Sequence, residues 1–65
     1  MKVNKKKMQI ALARKCMSLS EAAKVADMPY QSVLNAQKGR GISPVTLGKI
    51  ARALGVDPAD IIEED

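Results

Sequence analysis

Two carboxamide side chains, Gln31 and Asn35, stand four residues apart in the segment 29-PYQSVLNAQK-38. If this segment is helical, that spacing places them on the same face. A carboxamide donates and accepts hydrogen bonds together, as is required to pair with the major-groove edge of adenine. Tyr30 and Leu34 share the face, where the ring can contact a base or its hydroxyl a phosphate, and the leucine a thymine methyl group. Such a face can read DNA, and an ordinary solvated helix face is the alternative.

The charge of the chain is unevenly distributed. Residues 1–56 carry all 11 Lys and Arg residues and only two acids, Glu21 and Asp27, which gives a net charge of +9. Residues 57–65 carry five acids and no base. A basic body of this kind favours a polyanionic partner such as nucleic acid.

Several other classes of function lack the residues they need. The chain has no histidine, its single thiol Cys16 has no base partner, and no Cys/His cluster can hold zinc. No glycine-rich phosphate loop follows a strand, and no apolar stretch is long enough to span a membrane. We therefore expect a cytoplasmic protein that is not an enzyme and binds no cofactor, metal or small-molecule ligand. Cys16 is expected to fill a small apolar space near a helix end.

The elements that must position these side chains are predicted to be helices, with no strand. Residues with helix-starting chemistry are Ser18 with Glu21 as a capping box, Pro29, Ser43-Pro44 and Asp57-Pro58. Glycines that suit helix ends follow the third and fourth segments, at Gly39, Gly41 and Gly55. Five helices are predicted: roughly 5–16, 19–26, 29–38, one after Ser43 and one after Asp57.

The second and third helices have the spacing of a helix-turn-helix, over about residues 18–39. Ala23 is small where the two helices would cross. Asp27 lies in the tight turn, and Asp enters the left-handed region more readily than most residues. Met28 is expected to fill the space between the helices. With Val33 and Ala36 facing inward, the third helix turns its amide-bearing face outward.

From about residue 4 to residue 62 the chain resembles the lambda-repressor/Cro-type helix-turn-helix family of small bacterial and phage regulators. The resemblance rests on 43-SPVTLGKIARALGVDPADII-62 and on Ser18, Glu21, Ala23, Met28, Val33 and Gly39. It implies an all-α, compact five-helix domain with the helix-turn-helix at helices 2 and 3. The single domain would span residues 1–65, with a short acidic C-terminal end at 63–65.

The resemblance also implies which residues touch DNA. In this family the second helix of the motif enters the major groove, and the start of the first motif helix and the loop after the second grip phosphates. The residues implied to face bases are Tyr30, Gln31, Leu34 and Asn35. The residues implied to face phosphates are Ser18, Lys38, Arg40 and Ser43. For Lys5-Lys6-Lys7, a solvated basic start and an arm that touches DNA both remain open.

The function implied is that of a sequence-specific transcriptional regulator, a repressor from a phage or mobile element that blocks polymerase by occupying an operator. Its partner would be double-stranded DNA, bound as a homodimer on a two-fold symmetric site. The self-contact is expected in the C-terminal part, at Val56, Ile61 or Ile62. The alternative is a protein-interaction module of the same fold, an antirepressor or antitoxin, with Leu34 and 60-DIIEED-65 as its contacts.

Overall fold

The computed structural model describes residues 1–63, so that Glu64 and Asp65 of the predicted acidic end lie outside the described residues. Within that range the chain forms four α-helices and one 3₁₀ turn. These are α1 (Lys5–Lys15), α2 (Leu19–Ala26), α3 (Tyr30–Gln37), α4 (Pro44–Leu54) and the 3₁₀ turn Pro58–Asp60. No strand forms in residues 1–63, where the extended pairing is a single antiparallel bridge between Val3 and Ile62.

The all-α class is confirmed, but the predicted count of five helices is not. The segment after Asp57 forms only the 3₁₀ turn Pro58–Asp60, although it starts with a capping box as α2 does. The Asp57 carboxylate accepts from the Ala59 N–H at 2.8 Å, and the Asp60 carboxylate accepts from the Asp57 N–H at 3.2 Å. Ile61 then leaves the helical region, with φ −122° and ψ 0°. Its carbonyl accepts from the Asn4 N–H at 2.7 Å instead of continuing a helix.

The other helix starts follow the local chemistry of the sequence. Ser18 Oγ accepts from the Glu21 N–H, and the Glu21 carboxylate accepts from the Ser18 N–H, each at 3.2 Å, which is the predicted capping box. Ser43 Oγ accepts from the Thr46 N–H at 3.2 Å at the start of α4. Pro29 differs slightly from the prediction. It precedes α3 as the cap, with an extended ψ of 142°, rather than lying in the first turn.

Three helices end with a residue in the left-handed region. Asp27 ends α2 with φ 56°, as predicted, and Gly55 ends α4 with φ 67°. Cys16 ends α1 with φ 53°, although it is not glycine. The chain reverses there, so the Cys16 side chain is exposed, and its predicted role as an apolar filler is wrong.

The core is aliphatic and is formed by residues of all four α-helices together with Val3 and Ile61. Its largest fully buried side chains are Met8, Ile50, Leu54, Ile61, Val3 and Val33. No described helix has the length and apolar character needed to cross a membrane. The only aromatic ring, that of Tyr30, is not part of this core.

The N-terminal segment, residues 1–4, joins parts of the chain that are distant in sequence. The Asn4 N–H donates to Ile61, and the Glu63 N–H donates to Lys2 at 2.8 Å. Val3, between these bonds, is 0% exposed. The same segment pairs with Ile42, which lies in the loop between α3 and α4. This pairing was not predicted from the sequence.

Candidate nucleic-acid interface

The helix-turn-helix is formed by α2 and α3, which have eight residues each. The left-handed Asp27 reverses the chain, and the Met28 N–H donates back to the Ala23 carbonyl at 2.9 Å. Met28 is partly buried against the core and Ala23 is buried, as the sequence predicted. The turn is therefore held both by its backbone and by its side chains.

The rotation of α3 is set by its two fully buried residues, Val33 and Ala36. At 3.6 residues per turn, the outward side chains fall within an arc of about 140° on the opposite side. They are Tyr30, Gln31, Leu34, Asn35 and Lys38. Tyr30 is 47% exposed, and Gln31 is exposed, whereas Leu34 and Asn35 are half-buried. The structure thus brings all four predicted base-facing residues to one surface of one helix.

The two amide side chains on that surface contact each other. Gln31 Nε2 donates a hydrogen bond to Asn35 Oδ1 at 3.1 Å. The sequence predicted that both amides lie on one face, but it did not predict that they bond. The pair leaves Gln31 Oε1 and one N–H of Gln31 Nε2 without a hydrogen-bond partner in residues 1–63.

The loop after α3 carries the predicted phosphate-facing residues Lys38, Arg40 and Ser43, all of which are exposed. Gly39 turns the chain with φ 84°, and its N–H donates to Ala36 at 3.0 Å. The Arg40 N–H donates to the Asn35 carbonyl at 3.2 Å, so the loop begins as a direct continuation of α3.

Hydroxyl groups lie at the starts of α2 and α4. Ser18 Oγ accepts one bond and its proton remains free to donate. Ser43 Oγ donates a hydrogen bond to Thr46 Oγ1 at 3.0 Å. The Ser43 proton is therefore engaged, and the Thr46 hydroxyl proton is the one that can donate to an anion. The sequence reasoning missed Thr46, although its position three residues after a helix cap could have indicated it.

The charge around this surface is one-sided. No acid occurs between residues 28 and 56, a range that includes all of α3, the loop and α4. The two acids of the basic body both precede this range: Asp27 is exposed in the turn, and Glu21 is engaged by the Ser18 N–H. Lys38 and Arg40 therefore lie on a stretch of the chain that carries no carboxylate side chain.

Comparisons with known proteins agree with this geometry. The sequence model of a family described as the Cro/C1-type HTH DNA-binding domain matches residues 7–64. The fold is similar to the high-resolution crystal structure of the restriction-modification controller protein C.AhdI from Aeromonas hydrophila, with a TM-score of 0.77 and 23% sequence identity over 86% of each chain. No curated protein matches the chain.

Proposed function

The chain belongs to the family of Cro/C1-type HTH DNA-binding domains, and we propose that it is a sequence-specific regulator of transcription that reads the major groove of double-stranded DNA with α3. It acts in the cytoplasm, and residues 1–65 serve as one DNA-binding domain. The observation that carries the proposal is the outward arc of α3, where two amides, a tyrosine and a leucine lie on a surface free of acids.

The base contacts are assigned to the outward arc of α3 because the diameter of a helix matches the width of the major groove. A helix with its side chains is about 10–12 Å across, close to the ~12 Å width of the major groove. Gln31 and Asn35 carry the groups that pair with adenine, and Leu34 suits a thymine methyl group. Tyr30, 47% exposed at the start of α3, reaches a base edge or a phosphate.

The phosphate contacts are assigned to the residues that surround α3. Lys38 and Arg40 supply charge from the loop, and Ser18 and Ser43 supply hydroxyl groups at two helix starts. A helix start also favours an anion through its unpaired N–H groups and dipole. Thr46 joins this set, because it accepts from Ser43 and keeps its own hydroxyl proton for a phosphate.

The regulator binds as a homodimer and represses by steric exclusion of polymerase. One unit offers a single short helix to the bases, so tight binding requires two copies on a two-fold symmetric operator. The controller protein with the similar fold is named for control of a restriction-modification system.

A second candidate function is favoured by two exposed aliphatic side chains outside the α3 arc, Val25 and Val45. Neither has a role in the proposed DNA contacts. They suit a protein-interaction module, an antirepressor or antitoxin, in which DNA binding is secondary. In that case Leu34 and the acidic end would contact a protein partner.

Selection of bound DNA from a random double-stranded pool tests the proposal and separates the two candidates. The regulator predicts enrichment of a two-fold symmetric sequence with A·T pairs in each half-site. It also predicts an affinity whose logarithm falls with the logarithm of salt concentration by about 0.9 per phosphate neutralised. Retention of DNA without any enriched sequence would contradict sequence-specific regulation and leave the interaction module.

A further inference from the structure

We propose that Gln31 and Asn35 form one reading unit, in which Asn35 holds the Gln31 carboxamide in a single orientation and Gln31 makes the base contact. The inference rests on the proposed function and deepens it, because it assigns the two amides to one base pair rather than to two. Asn35 is then a positioning residue.

The bond between the amides leaves Gln31 fully equipped to pair with a base. A carboxamide has two N–H donors and one acceptor oxygen. One N–H of Gln31 Nε2 is committed to Asn35 Oδ1 at 3.1 Å. The second N–H and Oε1 remain, and these are one donor and one acceptor, the combination that adenine N7 and N6 require.

The bond also decides which way the amide points. An unrestrained glutamine can rotate its terminal amide by half a turn and exchange the positions of its donor and acceptor. In the pair as the structure has it, Nε2 lies on the Asn35 side and Oε1 on the other. A fixed order of donor and acceptor along the groove favours one base edge over the others. The Gln31 side chain is also ordered before DNA binds, which lowers the entropy cost of binding.

Asn35 itself is less well placed to read a base. Its side chain is half-buried, whereas that of Gln31 is exposed. Its Oδ1 already accepts from Gln31, and its backbone carbonyl accepts from the Arg40 N–H at 3.2 Å, which fixes the residue at the base of the loop. To pair with a base, Asn35 would have to use the same Oδ1 that accepts from Gln31.

A purely structural role for the bond predicts a different result. Amide pairs at this spacing stabilise helices slightly, and the cap of α3, Pro29, makes no side-chain hydrogen bond. Loss of such a bond would lower stability and weaken binding to all sequences alike. The reading unit instead predicts a loss confined to one base pair of each half-site.

The test measures base preference for the full chain and for Gln31→Ala, Asn35→Ala, Asn35→Asp and the double alanine variant. Each protein is titrated with the selected site and with the site substituted at each position. Asn35→Ala is expected to weaken preference at the same base pair as Gln31→Ala, by about 2- to 10-fold, the range for ordering one such side chain. It should add nothing in the Gln31→Ala background. Asn35→Asp keeps an acceptor for Gln31 and should keep the preference, with weaker binding overall.

Gln37→Ala is the matched control, because it removes another amide from α3 that has no hydrogen bond among the described residues. It should leave preference at that base pair unchanged, and urea unfolding of each variant reports any general loss of stability. Preference lost at a second base pair in Asn35→Ala, additive losses in the double variant, or an unchanged preference in Asn35→Ala would each overturn the reading unit while the proposed function stands. If the unaltered chain selects no sequence, the proposed function and this inference are both overturned.

Discussion

Met1 and Ile42 exchange two backbone hydrogen bonds: the Ile42 N–H donates to the Met1 carbonyl at 2.7 Å, and the Met1 nitrogen donates to the Ile42 carbonyl at 3.1 Å. Ile42 lies in the loop that carries Arg40 and Ser43. The N-terminal segment therefore holds one side of the proposed phosphate-binding loop, while its other end pairs with residues 61–63.

This arrangement predicts that Val3 supports both stability and the loop. Val3→Ala should lower the free energy of unfolding by about 1–3 kcal/mol, because it opens a cavity at a fully buried site. Urea denaturation measures the loss, and amide exchange should become faster at Ile42. Val45→Ala makes the same change at a residue that is 68% exposed and should stay within about 0.5 kcal/mol. Equal effects of the two substitutions would contradict the role given to the N-terminal segment.

The two glycines of the same loop should respond in opposite directions to alanine. A Cβ at either position meets nothing within 4 Å, but Gly39 has φ 84° and Gly41 is not in the left-handed region. Gly39→Ala should cost about 1 kcal/mol of stability, because an L-residue is strained there. Gly41→Ala should be neutral or stabilise by up to about 1 kcal/mol, because it restricts the unfolded chain. Thermal or urea unfolding compares them, and a stabilising Gly39→Ala would rule out this account of the turn.

Local chemistry explains why most of the fold was predictable. The capping box at Ser18 and the left-handed turn at Asp27 depend on side chains within a few residues, so the sequence shows them directly. The pairing of Val3 with Ile62 joins opposite ends of the chain, and no local pattern indicates it. The extra helix was predicted because Asp57-Pro58 is a good start, but the length of a helix depends on where Ile61 must pack.

For the candidate site, the sequence predicted which residues share a face of α3 but not the hydrogen bonds between their side chains. Burial of Val33 and Ala36 follows from helical spacing, and it determines which side chains of α3 face outward. The bond between Gln31 and Asn35 depends on rotamers, which the spacing permits but does not require. The hydrogen bond from Ser43 to Thr46 depends in the same way on side-chain geometry.

Lys38 is predicted to contact a phosphate and not a base. Lys38→Ala should weaken binding similarly on selected and random DNA and reduce the magnitude of the salt slope by about 1. Fluorescence anisotropy titrations at several salt concentrations measure both effects. Lys49→Ala removes an exposed charge from α4 outside the proposed contacts and is the control. A salt slope that is the same for Lys38→Ala and the unaltered chain would remove Lys38 from the phosphate contacts.

Binding as a dimer predicts a strict spacing of half-sites. The centres of the two half-sites should lie about 34–36 Å apart, one helical turn of DNA. Insertion of about half a turn, ~5 base pairs, should lower affinity by about 100-fold or more, because both copies can no longer bind together. Changing the central base pairs without changing their number is the control. Affinity that does not respond to the insertion would indicate that one copy binds alone.

The most direct measurement of the central claim compares Gln31→Ala with the unaltered chain on the selected site and on random DNA. If α3 reads bases, the substitution should cost about 1–3 kcal/mol of binding free energy on the selected site and little on random DNA. Equal losses on both, or no loss on the selected site, would contradict the claim that the outward face of α3 reads the major groove.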